Sequence, residues 1–276
     1  EIVSAFDETR KSVGAEEGIV CIKEHYKGAI NAVTALLPEY PALKLKVLRK
    51  VYPAGDEVML IYDATGKVVR PGGLPIESGV AVFNVETMYN AYHALKGEPL
   101  VSKLVTIAGE VAHPKTLRLP LGAKLSEAIK LAGGETIKDY VYWVGGPMMG
   151  RIASPSDPVT KTTNSVFVLP SDSFVVNKLR SDVKIEVGRA AASCCQCRTC
   201  TDMCPRNNVG HPIEPHKIMR AAACNDFSDV SAFLNTFYCC GCGVCELYAC
   251  PQGLSPRKLI QTIKGALRAN GVKPPK

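Results

Sequence analysis

Residues 194 to 204 hold five cysteines, and a second cysteine-dense stretch runs from 239 to 250. Cys194, Cys197, Cys200 and Cys204 stand in the pattern C-x2-C-x2-C-x3-C, followed by Pro205. Cys239, Cys242, Cys245 and Cys250 stand in C-x2-C-x2-C-x4-C, followed by Pro251. Two-residue gaps let one tight loop present three thiolates to three irons of a cubane. The more distant fourth cysteine ligates the other cluster in two-cluster ferredoxins. The spacing therefore predicts two [4Fe–4S] clusters with crossed ligation. One takes Cys194, Cys197, Cys200 and Cys250, and the other takes Cys239, Cys242, Cys245 and Cys204. Structural zinc prefers cysteine pairs separated by a long loop, which is not this pattern. Disulfides fit no better: every cysteine except Cys21 lies between 194 and 250. That is the distribution of a metal module in a reducing cytoplasm. Cys195 and Cys240 have no place in the pattern, and Cys21 and Cys224 read as small buried residues. Arg198, Arg206 and Lys217 lie near the motifs. Their charge would raise a cluster's potential, or they are ordinary surface.

Several elements must position these thiols. Between the motifs, 213–223 and 229–237 read as helices. After them, "SPRKLIQTIKGALRANGVKPPK" reads as a terminal helix. Ser255 would cap it, Pro256 suits its first turn, and Leu259, Ile260, Ile263 and Leu267 form its apolar stripe. Residues 257–276 carry much of the net charge of +7 and no acidic residue. The basic face reads as solvated, or as a dock for an acidic partner. Nucleic acid is disfavoured because no aromatic residue interleaves with the charges. No apolar run is long enough to span a membrane.

The front alternates strands and helices, the pattern of an α/β domain. A strand at 19–23 leads to a helix at about 27–37. A second strand, a turn and a helix follow within "ALKLKVLRKVYPAGDEVMLIYDATG", and then a Gly/Pro turn, a short apolar strand and a helix from about Val85. Neither G-x4-G-K-[ST] nor G-x-G-x-x-G occurs. From 102 to 170 four strands around one helix predict a β-grasp-like α+β module. The predicted domains are 1–101, 102–170, a linker at 171–188, and a helical cluster domain at 189–276.

The segments "VYPAGDEVML", "RPGGLPIESGVAVFNVET" and "GGPMMG", with the paired cysteine motifs, resemble one family. It includes the RnfC subunit of membrane ion-translocating oxidoreductases and the cobalamin reductase of propanediol-utilisation microcompartments. It is related to the NADH- and flavin-binding subunit of complex I. The x4 gap before Cys250 resembles the cobalamin reductase branch. The resemblance implies a multidomain protein: a partial Rossmann-like flavin domain, a β-grasp domain of the SLBB (soluble-ligand-binding) type, and an α-helical two-cluster ferredoxin-like domain. It also implies FMN. The family's flavin segments match Tyr52, Gly55, Asp56 and Glu57, then Val82, Phe83, Asn84 and Thr87. Asp56 replaces a longer carboxylate and Phe83 an amide. The family's Gly-rich loop before this region is not in the chain, so truncation at the N-terminus and weak FMN binding are expected.

The function implied is a flavo-iron–sulfur reductase. NADH would be the donor, with FMN and two [4Fe–4S] clusters as carriers and cobalamin as acceptor. A corrinoid adenosyltransferase or a microcompartment shell protein would be the partner, in a cytoplasmic microcompartment. The alternative is an RnfC-like peripheral relay subunit. No catalytic acid, base or nucleophile is required, because the cofactors carry the chemistry. His25, His93, His113, His211 and His216 read as structural or surface residues.

Overall fold

Ile19, Val20 and Ile22 suit extended backbone, and strand β1 (Gly18–Lys23) pairs in parallel with β2 (Leu43–Leu48), from Gly18 opposite Leu43 to Lys23 opposite Leu48. The computed structural model describes residues 1–275, so Lys276, the last residue of the basic tail and of the range 189–276, lies outside the described residues. Contacts divide the chain into a unit of Glu1–Leu100 and a second from Val101 onward.

In the first unit helix α1 (Ile2–Ser12) precedes β1, and α2 (Lys27–Leu36) joins β1 to β2. Helices α3 (Glu57–Thr65) and α4 (Val85–Ala94) follow. The sequence pattern has no counterpart of α1, which packs against α4 and buries Val3 and Ala5. The short strand expected before Val85 is irregular chain. The sheet of this unit is β1 and β2 alone, so nothing offers that segment a ladder.

The second unit begins with a five-stranded mixed sheet in the order β4-β3-β7-β5-β6. Its strands are β3 (Ser102–Gly109), β4 (Lys115–Pro120), β5 (Tyr140–Val144), β6 (Arg151–Ala153) and β7 (Ser165–Pro170). The central pair β3 and β7 is parallel and the other neighbours are antiparallel. Alternation sends Val105, Ile107, Val166 and Val168 to one face. There they pack with Leu125, Ala128 and Ile129 of α5 (Leu125–Leu131). One helix across a mixed sheet is the expected β-grasp arrangement, with the three-residue β6 as an unanticipated fifth strand.

Residues 171–188, expected to be a linker, are ordered as α6 (Phe174–Arg180) and the first half of α7 (Val183–Ser193). Val176 and Ala190 are fully buried, and α7 packs on α10 (Pro215–Cys224). The rest is helical: α8 (Thr199–Asp202), α9 (Pro205–Asn208), α11 (Val230–Leu234), α12 (Val244–Leu247) and α13 (Pro256–Ala269). Leu259 and Ile260 of α13 join Ile218 and Met219 of α10 in the core of this part. No helix among the described residues is long and apolar enough to cross a membrane.

Candidate metal centres

Each cysteine motif curls through one tight loop and then one turn of helix. In the first loop Gln196 and Arg198 take the left-handed conformation; in the second Gly241 and Gly243 take it at the matching positions. The helical turns α8 and α12 pack side by side. Two recesses result. The first, about 360 Å³, is lined by Cys194, Cys197, Cys200 and Cys250. The second, about 330 Å³, is lined by Cys204, Cys239, Cys242 and Cys245. Each holds three thiols of one motif and the last thiol of the other. The extra residue before Cys250 is absorbed by turning Tyr248 out to solvent, 78% exposed, while Ala249 is buried.

Among the described residues no three His, Cys, Asp or Glu side chains close on one point as a single ion requires. The four sulfurs of each set instead surround a volume, a donor set that fits an iron–sulfur cubane. Several donors reach the sulfurs. Gln196 Nε2 donates to Cys194 at 3.2 Å and Leu254 N to Cys250 at 3.3 Å. Thr199 Oγ1 lies 3.3 Å from Cys197. In the second set Gly241 N and Gln261 Nε2 both donate to Cys239 at 3.3 Å. Such bonds favour thiolate and help set a cluster's potential. Burial acts the other way, pushing the Cys200 thiol up to about 12 and the Cys204 thiol up to about 11. Burial also raises Cys239 and Cys245, and a hydrogen bond that its thiol donates to Cys240, together with burial, raises Cys242. Ligation must therefore displace protons from most of these thiols. Cys197 is shifted the other way, lowered by its Thr199 contact.

Two buried charge clusters support the recesses, and no sequence motif singles out either. Lys178, 5% exposed, donates to Gly253 O and, at 2.9 Å, to Ser255 Oγ. It faces Glu186, 1% exposed, at 3.9 Å, and Arg189 bonds both Glu186 (3.1 Å) and Gly253 O (3.2 Å). Together they fasten the loop after Cys250 to α6 and α7. The Ser255 hydroxyl is drawn into this cluster and makes no capping bond to α13. The second cluster centres on Arg257. Its guanidinium bonds Glu246 at 3.1 Å and the carbonyl of Met148, and Glu246 also accepts from Lys258 N at 2.9 Å. The Gly-rich segment 145–150 thus has a mechanical role. It folds over Trp143, whose indole donates to Gly146 O at 3.1 Å, and carries Met148 to the second cysteine loop. Gly150 is required there, because a Cβ would lie 1.9 Å from the indole nitrogen.

The basic face of α13 is not simply solvated. Lys258 donates to Leu179 O and Ser181 O, and Lys264 to Cys239 O at 2.8 Å. Arg198 borders the first recess and Arg206 the second. Lys217 instead pairs with Glu214 (2.7 Å) and Asp229 (3.2 Å). Cys224, expected to be buried, is exposed at the end of α10, and Cys195 is exposed beside Cys194. Cys21 and Cys240 are half-buried. His216 lines the first recess, its Nδ1 2.8 Å from Thr201 Oγ1, while His93 pairs with Glu98.

The flavin segments look different. Asp56 is the N-cap of α3, its carboxylate accepting from Val58 N (3.2 Å) and Met59 N (3.3 Å). Asn84 is the N-cap of α4, accepting from Glu86 N at 2.9 Å. Both side chains are engaged in local capping. Tyr52, Gly55, Glu57, Phe83 and Thr87 are exposed and Val82 half-buried, and a Cβ on Gly55 would meet nothing within 4 Å. These positions are open to solvent, while the two polar caps are already engaged in local bonds.

Three family matches follow the chain in order. Residues 1–93 match the Nuo51 FMN-binding domain, 104–152 the SLBB domain, and 193–255 the 4Fe-4S dicluster domain. The chain is 42% identical over 260 residues to cobalamin reductase PduS of Salmonella typhimurium, covering 94% of this chain and 57% of that protein. It is 29% identical over 208 residues to the RnfC-type subunit of the Na(+)-translocating ferredoxin:NAD(+) oxidoreductase complex of Acetobacterium woodii, covering 74% of this chain and 44% of that one. The chain thus spans about half the length of these two relatives. Its fold matches a chain of an NAD+-reducing [NiFe]-hydrogenase with a TM-score of 0.56 at 18% identity, covering all of this chain and 52% of the other.

Proposed function

We infer the function of this chain from its family: it belongs to the flavo-iron–sulfur proteins that include cobalamin reductase and the RnfC-type subunits, and that share the FMN-binding domain of complex I. The chain is an electron-transfer oxidoreductase module. The observation that carries this reading is the gathering of eight cysteines into two crossed sets of four. Cys194, Cys197, Cys200 and Cys250 would hold one [4Fe–4S] cluster, and Cys204, Cys239, Cys242 and Cys245 the other. The clusters supply one-electron carriage, and FMN links hydride pairs to single electrons. The protein's own part is to hold and orient them. Lys178 and Arg189 fix the Cys250 loop, Arg257 fixes the Glu246 turn, and the sulfur hydrogen bonds favour the thiolate form. On the flavin side Tyr52, Gly55, Glu57, Val82, Phe83 and Thr87 would meet FMN, with Asp56 and Asn84 shaping the two helix starts beside it.

The physiological donor is NADH and the acceptor cobalamin, which takes one electron in passing from cobalt(III) to cobalt(II). The resemblance supports a cytoplasmic microcompartment as the setting, with a corrinoid adenosyltransferase or a shell protein as partner. Arg257, Lys258 and Lys264 of the basic tail are bonded within the protein. The test is anaerobic reduction of this chain by dithionite followed by aquocobalamin, read by the corrin absorbance, alongside iron and sulfide quantitation. Prompt reduction with about eight irons per chain is expected. A loaded chain that leaves the corrin oxidised would sink the acceptor, and stoichiometric zinc would sink the clusters. Similarity to the RnfC-type protein supports a second reading, a relay between carriers in a larger complex. NADH-dependent aquocobalamin reduction by the isolated full-length protein separates the two.

A further inference from the structure

We propose that the two cysteine recesses divide the work. The recess of Cys194, Cys197, Cys200 and Cys250 is the face through which single electrons pass to an outside partner. The recess of Cys204, Cys239, Cys242 and Cys245 is sealed, and Arg257 is the positioning residue that seals it. This rests on the cluster assignment above.

Three observations separate the recesses, the last two sharing one contact. The first is burial. Cys197 is exposed and its three companions half-buried, whereas Cys204, Cys242 and Cys245 are buried and only Cys239 is half-buried. The second is the backbone. Both loops need two residues at positive φ, a conformation that penalises any side chain. The first loop places Gln196 and Arg198 there, both exposed, so side chains have room outside the loop. The second loop uses Gly241 and Gly243, and at Gly243 the space is already filled. A Cβ would lie 2.9 Å from the Arg257 guanidinium and 3.1 Å from Met148 O. The third is what fills it. Arg257 reaches from α13 across the second loop to Met148 O of the sheet domain while bonding the buried Glu246. Among the described residues the first recess has no such lid: its rim includes the exposed Pro251 and Gln252, and Tyr248 stands out beside them in sequence.

Electron transfer slows steeply with distance, so an outside acceptor exchanges fastest with the carrier that it can approach. One electron leaves the module and one enters the acceptor at each event, with no bond made or broken. The sealed recess then exchanges within the protein only.

The test uses the loaded holoprotein under anaerobic conditions. An iron chelator and iodoacetamide are added together, and the alkylated cysteines are followed with time by peptide mass mapping. Cys194, Cys197, Cys200 and Cys250 should become labelled as one group, about tenfold faster than Cys204, Cys239, Cys242 and Cys245, because the second set needs a local opening first. Arg257→Gln should speed the second group several-fold and leave the first unchanged. Arg257→Lys keeps the charge but not the fork that spans two partners, and should fall between. Equal or reversed rates in the wild-type protein would overturn the division, whether or not the variants hold their clusters. Unchanged labelling in a loaded Arg257→Gln protein would overturn the role of Arg257. A preparation without iron would instead count against the cluster assignment, so the two failures are distinguishable.

Discussion

The thiols of residues 194–250 point at one another, whereas the polar side chains at 56 and 84 point at their own backbones. Both regions carry motifs that resemble cofactor-binding segments, but the motifs have different physical content. A cluster needs four sulfurs around one volume, and only tertiary structure can supply a fourth ligand from 35 or more residues away; Cys200 and Cys250 share a recess in this way. Asp56 and Asn84 satisfy orphan amides at helix starts, a role that any well-made helix would ask of them. The cysteine region is thus arranged around two shared volumes, and the front segments around their helix starts.

The comparison breaks most visibly at the crossing ligands. Cys204→Ser removes a thiol from the recess that it shares with Cys239, Cys242 and Cys245. Iron should fall from about eight to about four per chain. The electron paramagnetic resonance signal of that cluster should be lost or altered while the other survives. Disturbance confined to the cluster of Cys194, Cys197 and Cys200 would mean that each motif closes its own cube.

A smaller loss is expected beneath the first recess. Glu186→Ala strands Lys178 as an unpaired buried cation, a change of roughly 3–5 kcal/mol in stability. Denaturant midpoints of the holoprotein check it. The pH dependence follows from the sign of the shift. Burial would raise the Glu186 carboxyl, but the nearby Ser255 and Ser181 hydroxyls and the charges of Lys178 and Arg189 outweigh it and hold the group below its usual range. Its contribution is therefore full above the unfolded value of about 4.3. It declines as pH falls through the folded value, and Glu186→Gln should flatten that acid limb. A wild-type limb identical to the variant's would show that Glu186 is not the group responsible.

These cases also show what the sequence makes legible. The three-part order and most elements follow from periodicity, and the two sets of four cysteines that share a recess follow from spacing. The segment 171–188 reads as a linker, in which Lys178, Arg180, Lys184 and Glu186 look like surface charge. Burial of Lys178 and Glu186 depends on Gly253 and Ser255, more than 60 residues on, and no local pattern announces that. Arg257 hides in the same way: it reads as part of a basic tail, while its partners are Met148 and Glu246. The helix α1 lacks a signal of its own, since its packing partner is α4. The strand expected before Val85 fails for the converse reason: its residues are apolar, but no neighbouring strand pairs with them.

At the front, effects should be local. Asp56→Ala removes two capping bonds from α3, a loss of about 1 kcal/mol. Amide hydrogen exchange over residues 57–65 should quicken by roughly fivefold, with the iron content of the cysteine module unchanged. Exchange equal to wild type would remove Asp56 from the caps and leave its carboxylate available for another role.

The smallest effect gives the sharpest discrimination. Asn84 caps α4 through its side-chain oxygen, which accepts from Glu86 N. Asp presents the same acceptor at the same reach and caps about as well as Asn, whereas Ala does not cap. If Asn84 serves the helix alone, Asn84→Asp should leave both hydrogen exchange over 85–94 and FMN affinity within about twofold of wild type, the span of a few tenths of a kcal/mol. Asn84→Ala should speed that exchange roughly fivefold. If the amide nitrogen also donates to the flavin, Asn84→Asp replaces a donor with a carboxylate that repels electron-rich oxygens. Flavin affinity would then fall by about tenfold or more while the helix stays capped. Fluorescence titration of FMN into the full-length protein, wild type against Asn84→Asp, reads the difference directly. A capped helix with lost flavin would bring the front of the molecule into line with the cysteine region, as a site specified by its ligand.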